Sequence, residues 1–218
     1  MRDDSAFEPI KGLPDRPPEG ERVLWQGAPS WRVVARRVFR IRWIAAYFAL
    51  AIIWQFAAAV NDGAPISNAI GASAVLVGFA VGAIGLFILI AIAVGRTTVY
   101  TITSKRLVFR VGMALPMTIN VPFKVVRNAG LKAFKDGTGD IAIALDAETR
   151  IPYFALWPHT RPWRFSRPEP MIRCIENPEN AAAIIAQAYK VEADGRALSK
   201  DNGTRSSVST HAPAEQVA

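Results

Sequence analysis

Apolar positions in this chain fall into two long unbroken runs followed by a series of short alternating ones. Residues 43–60 (WIAAYFALAIIWQFAAAV) extend for 18 positions without a charge and with one amide, Gln55. After a polar stretch at 61–68, residues 69–94 give 26 positions without an ionisable side chain. At about 1.5 Å per residue these reach roughly 27 Å and 39 Å as helices. A bilayer's hydrocarbon core is about 30 Å thick, so each run is long enough to cross it, the second with tilt. Neither run shows the polar face of a helix in a soluble core. The pattern predicts a transmembrane hairpin over 43–94, with spans at 43–60 and about 70–94.

Beyond residue 94 the rhythm shortens. Residues 97–103 (TTVYTIT) and 106–111 (RLVFRV) are β-like runs on either side of Ser104-Lys105, the pattern of a β-hairpin. Residues 117–122 read as a third strand and 124–134 as a fourth region of weak pattern. Asp136-Gly137-Thr138-Gly139 is a turn, and 140–145 alternates with Ile141, Ile143 and Leu145 on one face. Residues 150–156 (RIPYFAL) are expected to pair with it across a turn at Asp146-Ala147-Glu148. A closing helix follows, with Asn177 as N-cap, Pro178 at its first position and an apolar stripe of Ala181, Ala182, Ile184, Ile185, Ala188 and Tyr189. Gly195 should end it. Polar composition makes 1–20 a flexible lead and 193–218 a disordered tail, which leaves 95–192 as the extramembrane domain.

Charge orients the hairpin. Arg32, Arg36, Arg37, Arg40 and Arg42 precede it, Arg96, Lys105, Arg106 and Arg110 follow it, and the connecting loop carries only Asp62. The bias of Lys and Arg towards cytoplasmic loops places both flanks, and both termini, in the cytoplasm. Within 21–42, residues 21–27 form a short strand candidate. Residues 31–42, with Ser30 placed to cap them, put Arg32, Arg36 and Arg40 on one side of a helix and Trp31, Val34, Ala35, Val38 and Ile41 on the other. Two readings stand: a basic amphipathic helix at the headgroup level, with Trp31, Arg32, Arg36, Arg37 and Arg40 on the membrane surface, or the first turns of the span itself. A bend near Arg42 would separate them.

The net charge of +8 does not argue for nucleic acid, because much of the excess flanks the spans, where anionic headgroups are nearer. A single cysteine, Cys174, excludes a disulfide framework and a cysteine-based metal site. No nucleophile elbow, phosphate-binding loop or metal-binding helix motif occurs, and the acidic residues show no catalytic pairing. No catalytic residue and no metal ligand is therefore expected; the chain reads as a binding protein, not an enzyme.

Residues 157–173 (WPHTRPWRFSRPEPMIR) concentrate the remaining chemistry. Four prolines in 17 residues argue against regular structure, and Trp157, His159, Arg161, Trp163, Arg164 and Arg167 supply large rings and directional donors. Docking of a partner, contact with headgroups and packing on the chain's own sheet are all open. Beside two tryptophans, His159 is either an axial ligand for a metal centre or an ordinary hydrogen-bonded loop histidine. In the second span Gly78 and Gly82 permit close helix approach, either to the first span, to a helix of a partner protein or to a second copy in a homodimer.

Short strands and one closing helix behind a membrane hairpin resemble the bacterial pleckstrin-homology-like membrane proteins. Residues 21–27 (ERVLWQG) and 99–108 (VYTITSKRLV) carry that likeness. Three further strings, 112–116 (GMALP), 136–142 (DGTGDIA) and 156–164 (LWPHTRPWR), resemble the photosynthetic complex assembly proteins of the PuhB family. The resemblance covers most of 18–190. It implies an α+β membrane protein in which the hairpin carries a PH-like antiparallel β-sandwich or barrel capped by a C-terminal helix. It further implies residence in the inner, intracytoplasmic membrane of a purple bacterium. The role it implies is assembly of the light-harvesting 1–reaction-centre core, with subunits of that core and membrane lipid as partners and no resident cofactor. On that resemblance the metal centre open to His159 would be a bacteriochlorophyll magnesium, against the ordinary hydrogen-bonded histidine, and the helix facing Gly78 and Gly82 would be that of a pigment-protein. A lipid-sensing or envelope-stress role is the alternative.

Overall fold

The computed structural model describes residues 13, 17–112, 116–146, 148–149 and 151–209. Most of the expected lead, the tail beyond 209, Met113 to Leu115 in the string 112–116, Ala147 and Arg150 lie outside them. Strand β1 (Val23–Gly27) comes first, then a short helix α1 (Trp31–Val33) that widens into a π-helical turn at Val34–Val38. Ser30 occupies the position before α1, but its hydroxyl makes no capping bond. The chain breaks at Arg40, whose φ of +50° is left-handed, and α2 (Ile41–Asn61) starts there. The bend falls at Arg40, two residues before Arg42, and separates the basic segment from the span.

Helices α2 and α3 (Ile66–Thr97) are long and apolar enough to cross a membrane. Their large side chains point outward, as with Trp43 and Trp54, 74% and 76% exposed. Where α3 runs beside α2 it buries Ala69, Ser73 and Ala80. A methyl group added at Gly78 or Gly82 would meet nothing within 4 Å. These two glycines face away from α2, so packing against the first span is made by other small residues.

After α3 come β2 (Val99–Thr103), β3 (Arg106–Val111) and β4 (Met117–Pro122), followed by a 3-10 turn at Phe123–Val125. With β1 they form a four-stranded antiparallel sheet ordered β1-β2-β3-β4. The β2–β3 turn is as expected: Thr103 Oγ1 accepts hydrogen bonds from the Lys105 and Arg106 amides and donates to the Arg106 carbonyl. A second sheet is ordered β5-β6-β7, with β5 at Val126–Ala133, β6 at Thr138–Leu145 and β7 at Met171–Glu176. The two sheets do not close into a barrel. Instead they face each other across one core of Tyr100, Phe109, Phe123, Ile141, Ile143, Ile172 and neighbours. Helix α5 (Pro178–Ser209) adds Ala181, Ile185 and Ala188 to that core.

Three expectations change. The partner of β6 is not 150–156: Tyr153–Leu156 is a helical turn (α4), and β6 pairs with β5 and β7. Pro152 has no amide to give a ladder, whereas 126–133, faint in pattern because nearly every side chain after Val126 is exposed, pairs along its whole length. Strand β7 emerges from the end of the proline-rich segment, where Met171, Ile172, Cys174 and Ile175 are buried. Finally, α5 continues past Gly195 to Ser209; a helical glycine costs only about 1 kcal/mol against alanine, and no proline lies between Gly195 and Ser209 to stop the helix.

Candidate functional site

The proline-rich segment folds back on itself. His159 accepts the Met171 amide at 2.8 Å, Glu169 accepts the Arg161 amide at 3.0 Å, and Thr160 bridges Pro170. This narrow ladder pins the base of the loop. Above it the Glu169 carboxylate receives both Arg161 (3.0 Å) and Arg164 (3.1 Å). Two guanidinium groups on one largely buried carboxylate hold a rigid tip, because each planar donor fork is directional. The tip presents Trp163, 87% exposed, and Phe165, 61% exposed. Phe165 stacks on Tyr153 at 4.8 Å, and Trp157 approaches Phe39 at 6.3 Å, so the loop leans on the basic segment.

His159 has a different place. It is 2% exposed, with Nδ1 2.6 Å from the Tyr100 hydroxyl and Nε2 3.1 Å from Thr98 Oγ1. The Tyr100 oxygen also accepts the Arg173 amide at 3.3 Å. Either neutral tautomer engages both ring nitrogens, since the Tyr100 and Thr98 hydroxyls can each donate or accept. Burial, with Arg173 nearby, pulls the imidazole down from 6.5 to about 3. The same burial holds the Tyr100 phenol well above its ordinary 10. Both ring nitrogens being engaged inside the fold, His159 is neither a surface contact nor open to a magnesium; it is a strut between β2 and the loop.

The basic segment is likewise only partly a lipid-facing surface. Arg37 and Arg36 lie 3.3 and 3.8 Å from Asp136 in the β5–β6 turn, and the Arg37 guanidinium sits 3.7 Å over the Phe134 ring. Hydrogen bonds from Thr138 and from Arg37 hold the Asp136 carboxyl below its usual range. Ser30 donates its amide to the Cys174 carbonyl at 2.8 Å. Val33, Val34 and Ala35 pack with Ala91, Val94 and Cys174 in a second small core. Burial, with Asp140 close by, pushes the Cys174 thiol up to about 12, which leaves it unreactive. Trp31 and Arg32 remain outside, stacked at 5.3 Å.

Between the basic segment, the start of α2, the β5–β6 hairpin and the loop lies a cleft of about 1280 Å³. Seven basic and two acidic side chains line it, and Trp43, Trp157 and Trp163 stand around it. Of the residues expected to act, Trp157, Arg161, Trp163, Arg36, Arg37 and Arg40 meet here, whereas Arg32, Arg164, Arg167, Gly78 and Gly82 do not line it. Sequence reading missed Lys132, Thr160 and Arg173 as lining groups; a basic residue in a faint strand and two inside a proline-rich string carry no periodic signal. Among the described residues no cluster of three metal-ligating side chains occurs.

Comparison with known proteins now becomes informative. The bacterial PH domain family matches residues 38–189, from the end of the basic segment to α5. The chain belongs to that family. A protein of Rhodobacter capsulatus, described as an uncharacterized 23.7 kDa protein in the puhA 5' region, is 39% identical over 191 residues, covering 87% of this chain and 89% of its own length. No solved structure matches. The match begins after β1, which precedes the helix pair and joins the sheet made by the strands that follow it.

Proposed function

We propose that this bacterial PH domain protein is a membrane-held docking factor for assembly of the light-harvesting 1–reaction-centre core, acting by binding and not by catalysis. Helices α2 and α3 span the inner, intracytoplasmic membrane, and both flanks with the two sheets stand on the cytoplasmic side. The tip at Trp163 and Phe165 engages a newly inserted core subunit. The observation that carries the reading is this tip, two large rings held outward by the Arg161–Glu169–Arg164 clamp. Rigid exposed aromatics flanked by arginine supply binding area at little ordering cost. Antiparallel pairing of β1 with β2 supports the topology, because it requires the chain before α2 and after α3 to be on one side. The relative's position in the puhA 5' region and the string 156–164 support the photosynthetic context. No pigment is assigned to His159.

The test is crosslinking with mass spectrometry in native membranes, comparing wild type with Trp163→Ala/Arg164→Ala. Crosslinks from the loop to core subunits should fall in the double variant, while its thermal transition stays within the change of about 0.5 kcal/mol usual for surface substitutions. A wild-type loop that crosslinks only within its own chain would refute the reading.

A further inference from the structure

We propose that the cleft at the foot of α2 is a binding site for the phosphate headgroup of an anionic phospholipid, with Thr160 and Arg173 as its innermost donors. It rests on the reading that α2 and α3 lie in a bilayer, and adds to it a specific lipid ligand. Three independent observations converge. Thr160 is 2% exposed, and neither its Oγ1 nor the buried Nε of Arg173 has a hydrogen-bond partner among the described residues; both residues line the cleft. Leaving a buried donor unpaired is costly, and a ligand oxygen that reaches either atom from the cleft removes that cost. Arg173 is held in place from its other side, where Nη1 donates to the Pro158 carbonyl at 2.9 Å.

Secondly, the cleft is electropositive after internal pairing is counted. Asp136 is taken up by Arg36 and Arg37, and Asp140 accepts the Cys174 amide at 2.8 Å. Arg40, Arg42 and Lys132 also line it, and none has an ion pair recorded among the described residues. Thirdly, α2 opens into the cleft through Arg40, Arg42 and Trp43 with no side-chain cap and no acidic residue in its first turn. The positive end of its dipole therefore lies at the cleft, where it would stabilise a phosphate.

Location selects a lipid over a free anion. The cleft begins where the exposed apolar surface of α2 begins, the depth at which headgroups lie. Its rim carries Trp43, Trp157, Trp163 and Phe165, apolar area that a soluble phosphate would not use. Its volume of about 1280 Å³ exceeds the roughly 300–1,000 Å³ of ordinary small-molecule pockets, enough for a headgroup with the first part of its chains.

The experiment uses the delipidated full chain in neutral detergent, titrated with phosphatidylglycerol and read by native mass spectrometry. The proteins compared are wild type, Thr160→Val, Lys132→Gln and, as a basic residue of the same flank outside the cleft, Arg32→Gln. One phosphatidylglycerol should bind tightly to wild type and to Arg32→Gln, and about tenfold more weakly to Thr160→Val and to Lys132→Gln. Thr160→Val replaces a buried hydroxyl that makes no protein bond, so the melting temperature of the lipid-free variant should equal or exceed that of wild type. Equal affinity in all four proteins, or as great a loss in Arg32→Gln as in Thr160→Val, would overturn the site in favour of diffuse attraction. Glycerol phosphate binding as tightly as the lipid would overturn the lipid as its ligand. A chain absent from the membrane fraction would defeat the bilayer reading itself, whereas a membrane-inserted chain without lipid discrimination defeats the cleft alone.

Discussion

The buried histidine makes stability depend on pH in a calculable way. His159 is held neutral by burial and by the Arg173 charge, its pKa lowered from 6.5 to about 3. Below pH 6.5 the unfolded chain takes a proton that the folded chain refuses. Stability from this group is therefore complete above pH 6.5 and is lost as pH falls towards 3, at about 1.4 kcal/mol per pH unit. Two units below 6.5 the loss is about 3 kcal/mol, a large share of the 5–15 kcal/mol typical of a domain. Denaturant unfolding of the full chain in detergent, followed by near-ultraviolet circular dichroism at pH 7.5, 6.5, 5.5 and 4.5, measures it. His159→Asn keeps an amide near Tyr100 and Thr98 but cannot titrate. It should be less stable than wild type at pH 7.5, and the gap should close by about 3 kcal/mol by pH 4.5. A gap that stays constant over that range would refute the account, since the lost stability would then belong to other groups.

Further consequences follow from contacts around the same elements. Tyr100→Phe removes the hydroxyl between His159 Nδ1 and the Arg173 amide and should cost about 1–3 kcal/mol in the same unfolding assay; a loss below 0.5 kcal/mol would mean the ring nitrogen finds another partner. Gly139→Ala puts a methyl 2.6 Å from the Lys132 carbonyl oxygen and 2.6 Å from Pro178 Cγ, so β5, β6 and the start of α5 must part. A cost of about 1–3 kcal/mol should lower the melting temperature of the extramembrane part by several degrees. Gly78→Ala with Gly82→Ala meets open space and should leave the purified chain as stable or slightly more stable through helix propensity. If a partner helix packs there, the same double variant will lose crosslinks to it in native membranes, and unchanged crosslinking would assign that face to lipid.

The sequence showed the helix pair because nothing competes with uninterrupted apolar runs of that length. It showed the β2–β3 hairpin because β-branched and aromatic residues flank a two-residue polar turn, and β6 because Ile141 and Ile143 alternate with alanines. Strand β5 was legible only as a region of weak pattern: Val126 alone of its eight residues is buried, so there is no period to see. Strand β7 was masked by the prolines just before it, which mark a loop correctly but say nothing of where it ends. In the loop, composition marked Trp163 and His159 alike as candidate contacts; the structure exposes the first and buries the second as a hydrogen-bonded histidine, one of the two readings open to it. What separates them is a pair of long-range partners about 60 residues earlier, Thr98 at the end of α3 and Tyr100 in β2, and no local pattern reports such a pairing. Gly78 and Gly82 were legible as small but not as to direction, because a helix with no polar face has no periodicity that says which side meets its neighbour.

The placement of the helix pair between β1 and β2 ties the two parts together. Gln26 and Thr101, hydrogen-bonded across β1 and β2, are 75 positions apart, and closing a free loop of that length costs roughly 4 kcal/mol in its length-dependent part. A packed α2–α3 pair meets most of that cost, since it returns the chain to where it left: Gly95 near the end of α3 lies so close to Pro29 and Trp31 that a methyl group there would come within 3.2 Å of both. Strand β1 is thus a conditional strand, added to the β2 edge when the helices are together and pinned by Glu21 on Arg106 at 2.9 Å. The same short connection carries α1, whose preceding residue Ser30 bonds Cys174 in β7 and whose continuation holds Asp136 through Arg36 and Arg37. A shift of α2 against α3 therefore reaches the β1 edge and the floor of the basic cleft through the same dozen residues.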